Sequence, residues 1–235
     1  MVDEVTVEEL TEPAEEAGAD SPSRAWTPVA RVLVLPRSTF ARLVAEDIAA
    51  WPAAIGVLAF AAVAKAALAV GLAVRAAKGT SFLAALGIRY GADVLGPLVF
   101  ALAAAGVLLP AQRLWQGDAS FRRLLSAVSV ALVPLALRDV VQAGYMAATR
   151  NVLLHPGLSA LLAPPPHSVL GRVAYALLGQ VDAFTLWALV LLTLAVTVTH
   201  GRGWLRPTFA ALGVALAAAL VGALPSLAFA ALLFR

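Results

Sequence analysis

Five stretches of this 235-residue chain are apolar over the length a helix needs to cross a lipid bilayer, and that recurrence narrows the possible folds more than any other feature. They run from Trp51 to Val74, from near Asp93 to near Leu114, from Leu124 to Ala148, from between Val173 and Ala183 to Thr199, and from Trp204 to Phe234. Crossing the hydrocarbon takes about 20 helical residues. Inside lipid the backbone must satisfy its own hydrogen bonds, so such segments are helices or closed barrels. Strand-like alternation is absent, which argues against a barrel. The composition agrees: 61% of residues are hydrophobic and 13% charged, against about 25% charged in an average soluble domain. A soluble globular enzyme, a collagen-like chain and a largely disordered chain are all disfavoured. The fold class expected is all-α: a polytopic membrane bundle of five transmembrane helices with a short N-terminal interfacial helix.

Charge divides the chain into regions. Residues 1–20 hold Asp3, Glu4, Glu8, Glu9, Glu12, Glu15, Glu16 and Asp20 and no base, leaving six acids against 17 bases in the remainder. An acidic head without aromatic residues buries too little apolar surface to offset chain entropy, so residues 1–24 are predicted to be a disordered tail. The head also lacks the basic and apolar regions of a cleavable signal. Residues 25–50 are read as an interfacial segment. Thr27-Pro28 reads as a cap and first-turn proline. Ser38 or Thr39 then caps a second short helix with Phe40, Leu43 and Val44 on one face. Arg37 and Arg42 would sit near lipid phosphates. Residues 51–235 form the expected five-helix domain.

Five spans put the termini on opposite sides of the membrane. With the tail inside, eight bases flank the inner face and six the outer. This weak positive-inside bias selects a cytoplasmic N-terminus in a cell-membrane, multi-pass protein. The lipid bilayer is the first partner, with protein partners at the cytoplasmic face and further copies of the chain also admissible. No basic run is interleaved with aromatics, so nucleic acid is not a partner. The chain has no cysteine, hence no disulfide, thiolate nucleophile or Cys-ligated metal.

Chemistry-bearing patterns are sparse. His155, His167 and His200 lack metal-ligand spacing. Ser120, Ser126 and Ser129 have no His partner in their stretch, and no phosphate-binding, dinucleotide or nucleophile-elbow motif opens a helix. No catalytic residue, cofactor site or metal site is expected. The informative residues are the charges inside apolar segments: Lys65, Arg138, Asp139 and Asp182. An ionised side chain at mid-bilayer costs roughly 2.5–3.5 kcal/mol, so it seeks a partner or water. Arg138 or Lys65 is therefore expected to pair with Asp182 or Asp139 between helices. Competing readings are snorkelling for Lys65, a helix cap for Asp182, and a wet break after Pro134 for Arg138 and Asp139. Two small-residue stripes, Ala59-Val63-Ala67-Gly71 and Ala211-Ala215-Ala219-Ala223, offer close helix contacts. Thr185, Leu189, Thr193 and Thr197 share one face, where the threonines either bond their own backbone or line a polar seam.

Four stretches carry a family resemblance. They are Leu35-Pro36-Arg37-Ser38-Thr39-Phe40 before the first span, Gly117-Asp118-Ala119-Ser120-Phe121-Arg122-Arg123-Leu124 between the second and third, Asp182-Ala183-Phe184-Thr185-Leu186-Trp187 opening the fourth, and the turn from Gly201 to Arg206. In this order, over residues 30–230, the chain resembles the bacterial branch of the Yip1 family of five-span membrane proteins. The resemblance implies five helices, a cytoplasmic N-terminus and no known enzymatic activity. Eukaryotic members are implicated in vesicle traffic and bind small GTPases. They carry a D-L-Y-G-P motif before their first span. Asp93-Val94-Leu95-Gly96-Pro97 looks similar but precedes the second span here, so GTPase binding is not carried over. The expected function is a non-enzymatic membrane protein that organises proteins or lipids. The alternative is a small permease or channel subunit using the intramembrane charges.

Overall fold

Trp51-Pro52 places a proline in a first helical turn, where its missing N–H costs nothing. From there α3 runs unbroken from Trp51 to Arg75 through a nearly all-apolar sequence. The computed structural model describes residues 22–76, 79–114, 120–153, 157–162, 168–200, 208–214 and 216–217. Among the described residues, two short helices precede α3: α1 (Pro22–Arg31) and α2 (Pro36–Ala45). After it come α4 (Thr80–Leu114), α5 (Phe121–Ala131), α6 (Val133–Thr149), α7 (Val169–Leu178) and α8 (Ala183–His200), with a 3-10 turn at Gly157–Leu162. Among the described residues no strand occurs.

Among the described residues, three helical segments are long and apolar enough to cross a membrane: Trp51–Arg75, Phe82–Pro110 and Phe121–Thr149. The pair Leu170–Leu178 and Ala183–Thr199, bent by 69°, makes a fourth if read as one broken span. The expected fifth span, Trp204 to Phe234, lies mostly outside the described residues. Within it, residues 208–214 and 216–217 are helical, and Ala211 and Val214 are buried in the main core. The acidic residues 1–20 also lie outside.

Several boundaries differ from expectation. Residues 22–24, expected in the tail, are the first turn of α1, and Thr27-Pro28 lies inside that helix rather than starting it. Helix α4 begins 13 residues before Asp93. One arginine in the apolar run Phe82–Ala92 does not stop a helix, because its neighbours one turn away remain apolar. The third span is divided at Leu132. Pro134 has no N–H for the preceding turn, and the chain bridges the gap with a tight bond from Leu135 N to Leu132 O (2.8 Å).

The core is built around α5, whose residues Leu124 to Ala131 are all buried. Packed on it are α3, α4, α8 and α2. The apolar face of α2 faces protein: Phe40 and Leu43 are buried in the main core beside Val29 and Val32 of the α1 segment, and α2 lies against α8. An interfacial helix floating on lipid would instead leave Phe40 outward. On α3 the packing stripe is Ala54, Leu58, Ala61, Ala62, Lys65, Ala69 and Ala73. The expected stripe turns away: Val63, Ala67 and Gly71 are exposed or half-buried, and nothing lies within 4 Å of a Cβ built on Gly71. Alanine occurs on both faces, so four-residue spacing alone does not identify the packed one. Exposed Phe60, Leu95, Val99, Val107 and Val190 give the bundle an apolar outer surface, as a lipid-facing helix requires.

Candidate functional site

Lys65 sits about 21 Å along α3 from Trp51, at 1.5 Å per residue, with 4% of its side chain exposed. Its ammonium has three donors and no acceptor. It donates to Asp93 Oδ2 on α4 and to Asp139 Oδ1 on α6, both at 2.7 Å. Nζ also lies 5.6 Å from the ring centroid of Tyr90, one turn before Asp93. One cation thus joins α3, α4 and α6 through two charge-assisted bonds and a ring contact.

The cluster extends beyond Lys65. Arg138 turns back onto its neighbour, with Nε and Nη2 each 3.4 Å from Asp139 Oδ1. Its Nη1 lies 4.0 Å from Asp182 Oδ2. Asp182 stands in the bend between α7 and α8, where its Oδ1 accepts from Thr185 N at 2.7 Å. Its two oxygens therefore divide the work: one caps α8, the other faces Arg138. Exposure rises outward from the centre. The side chains of Lys65 and Asp139 are 4% and 5% exposed, Asp182 and Arg138 15% and 17%, and Asp93 30%. Asp139 is the most heavily shared carboxylate, since Lys65 and Arg138 both approach the same oxygen.

All four residues singled out from the sequence therefore fall in one connected cluster. Asp93 and Tyr90 are the members that the sequence pattern leaves out. A second span drawn from Asp93 makes that residue a boundary, whereas a span drawn from Phe82 puts it in mid-helix opposite Lys65. The Asp93-to-Pro97 stretch accordingly lies inside α4, not ahead of it.

Side chains beside the cluster pack tightly. Tyr90 and Met146 meet at 4.0 Å (Oη to Sδ) in a small apolar core with Ala69, Leu72, Ala73 and Leu86. Gly157 adopts φ +57°, and a Cβ there would lie 2.6 Å from Val181 O, so the 3-10 turn presses its backbone into the α7–α8 bend. Leu158 N donates to the same Val181 O at 3.0 Å.

The other polar residues behave locally. Thr193, Thr197 and Thr199 donate to carbonyls one turn back on α8, while Thr185 Oγ1 is buried without a hydrogen-bond partner. Ser120 caps α5 by accepting from Arg123 N at 3.3 Å. Ser126 and Ser129 are packed inside the bundle, their hydroxyls unpartnered. His155 and His167 lie outside the described residues, and His200 ends α8. Among the described residues no three His, Asp or Glu side chains are grouped to hold a metal.

At the opposite end of α3, near Trp51, a second polar region forms. Arg123 at the start of α5 donates to Asp47 at 2.9 Å, tying the end of α2 to α5. Arg42 Nε donates to Glu46 at 2.6 Å. The Glu46 hydrogen bond, reinforced by its charge, pushes the Arg42 guanidinium above its ordinary value.

No curated protein and no solved structure matches the chain. A family comparison does: the Yip1 domain matches residues 30–224. That range takes in α2 to α8 and every member of the charge cluster. With its apolar helices, the protein is a multi-pass membrane protein, and the chain belongs to the Yip1 family.

Proposed function

We propose that the protein is a non-enzymatic organiser of membrane proteins or lipids. It would sit in the cell membrane, cross it five times and keep its N-terminus in the cytoplasm. The observation carrying this reading is that the buried charges pair with one another. Lys65 gives two of its three donors to Asp93 and Asp139 and turns its charge to the Tyr90 ring, and Asp182 gives one oxygen to its own helix. A cluster arranged this way clamps helices together and leaves the protein's surfaces for recognition. The acidic residues 1–20 supply a charged cytoplasmic segment for docking. The α1–α2 pair is tied to the bundle by Phe40 and the Arg123–Asp47 bridge, and its exposed Trp26, Val34 and Leu35 support a place at the membrane interface.

The test is co-purification from native membranes of the intact chain and of a chain lacking residues 1–24. A reproducible companion protein or enriched lipid is expected with the intact chain, and a companion protein held by the tail is lost on truncation. A second reading, a small permease or channel subunit, is favoured by one feature: the 69° bend between α7 and α8 places Asp182 against Arg138, and broken helices beside charges occur in transporters. Flux through proteoliposomes containing the wild-type chain, abolished by Asp139→Asn, would reject the organising role.

A further inference from the structure

Between α1 and α2 lies a cleft of about 220 Å³. Its polar lining is Thr27 and Arg31 from α1 and Ser38, Thr39 and Arg42 from α2, while Pro28 and Ile48 supply apolar wall. Two arginines and no acid line it, so the cleft carries positive charge. Glu46 offsets part of that charge through Arg42. Guanidinium groups stay protonated and match the fork geometry of phosphate oxygens.

The hydroxyls are placed to help. Leu35 O accepts from Thr39 N at 3.0 Å, from Thr39 Oγ1 at 2.7 Å and from Ser38 Oγ at 3.1 Å. A carbonyl has two lone pairs, so the Ser38 bond is surplus. Ser38 can turn its hydrogen to a ligand without orphaning the carbonyl. Both hydroxyls belong to the first turn of α2, where the helix dipole also favours an anion.

The surroundings point to a lipid source. The cleft adjoins α3 at its Trp51 end, and Trp26, Val34 and Leu35 beside it are 52%, 78% and 49% exposed. Exposed apolar side chains around an arginine pair are what a headgroup layer over acyl chains accommodates.

We propose that this cleft binds the phosphate group of an anionic membrane lipid, held by Arg31, Arg42 and Ser38. The site rests on the chain being embedded in a membrane, not on its organising role. The experiment is native mass spectrometry of the full-length protein in non-ionic detergent, titrated with dioleoyl phosphatidic acid, dioleoyl phosphatidylglycerol or inorganic phosphate. Retention of one phosphatidic acid or phosphatidylglycerol molecule per chain is expected. Its affinity should fall at least tenfold in the doubly substituted Arg31→Gln/Arg42→Gln protein and severalfold in Ser38→Ala. Arg75→Gln, at the far end of α3, should retain lipid as the wild type does. Equal retention by wild type and the double variant, with both monodisperse, overturns the site. Displacement of the lipid by an equal concentration of inorganic phosphate overturns the lipid source and assigns the cleft to a soluble phosphate. Because retention is read on purified protein, a negative result leaves the organising role standing, and a missing companion protein leaves this site standing.

Discussion

Replacing Lys65 by methionine keeps most of its apolar stem and removes only the ammonium. Two carboxylates then lose a donor at 2.7 Å, and Tyr90 loses a cation over its ring. The losses are unequal. Asp93 is 30% exposed and can rehydrate, whereas Asp139 is 5% exposed and keeps only Arg138 at 3.4 Å. Stranding a buried charge costs about 3–5 kcal/mol, and the remaining Arg138 contact places the expected loss at the lower end. At about 2–4 °C per kcal/mol for a chain of this size, Lys65→Met should melt roughly 6–12 °C lower. The assay is the loss of the monodisperse peak after heating in detergent. Asp139→Leu should be similarly damaging, because it strands Lys65 with one carboxylate. The double substitution Lys65→Met/Asp139→Leu removes both central charges, and its melting point should recover to within a few degrees of wild type. That non-additivity, at least about 2 kcal/mol, is the signature of a direct pair. If Lys65→Met melts with the wild type, or the two single losses simply add, the clamp does not exist as described.

Four further outcomes are expected. Asp182→Asn should melt near wild type because the amide oxygen still caps α8, whereas Asp182→Ala should lose about 1 kcal/mol, read by thermal melting. Gly157→Ala should cost about 1–3 kcal/mol through a left-handed backbone and a contact that must shift, with faster amide exchange over residues 157–182. Phe40→Ala should cost about 3–5 kcal/mol as a fully buried ring is deleted; an unchanged melt would mean that α2 floats on lipid instead of packing on α8. Arg123→Ala, which breaks a bridge with both partners more than a third exposed, should change stability by less than about 1 kcal/mol.

The features legible in the sequence come from strong, long-range patterns. Apolar length locates α3 to within a residue, and isolated charges in apolar runs locate Lys65, Arg138, Asp139 and Asp182. The partner of a charge is a tertiary fact. Asp93 is hidden because a charge also marks span ends, and one-dimensional reading cannot separate the two uses. The packed stripe of α3 is hidden for a related reason: with alanine on every face, the buried face is chosen by the neighbouring helices. The amphipathic pattern of α2 is visible, but not whether protein or lipid covers Phe40, since both reward the same apolar face. The α7–α8 bend has only Gly179 and Asp182 to announce it.

The clamp also has a history in time, because its members are synthesised far apart. Lys65 precedes Asp93 by 28 residues and Asp139 by 74. At about 5–20 residues per second, the ribosome needs on the order of 4–15 seconds to supply the second counter-ion. Throughout that interval a helix carrying an unmatched cation must be sheltered by the insertion machinery or held at the water's edge. Removing the cation should therefore ease the entry of the first span into the membrane while weakening the finished bundle, so biogenesis and final stability pull this lysine in opposite directions.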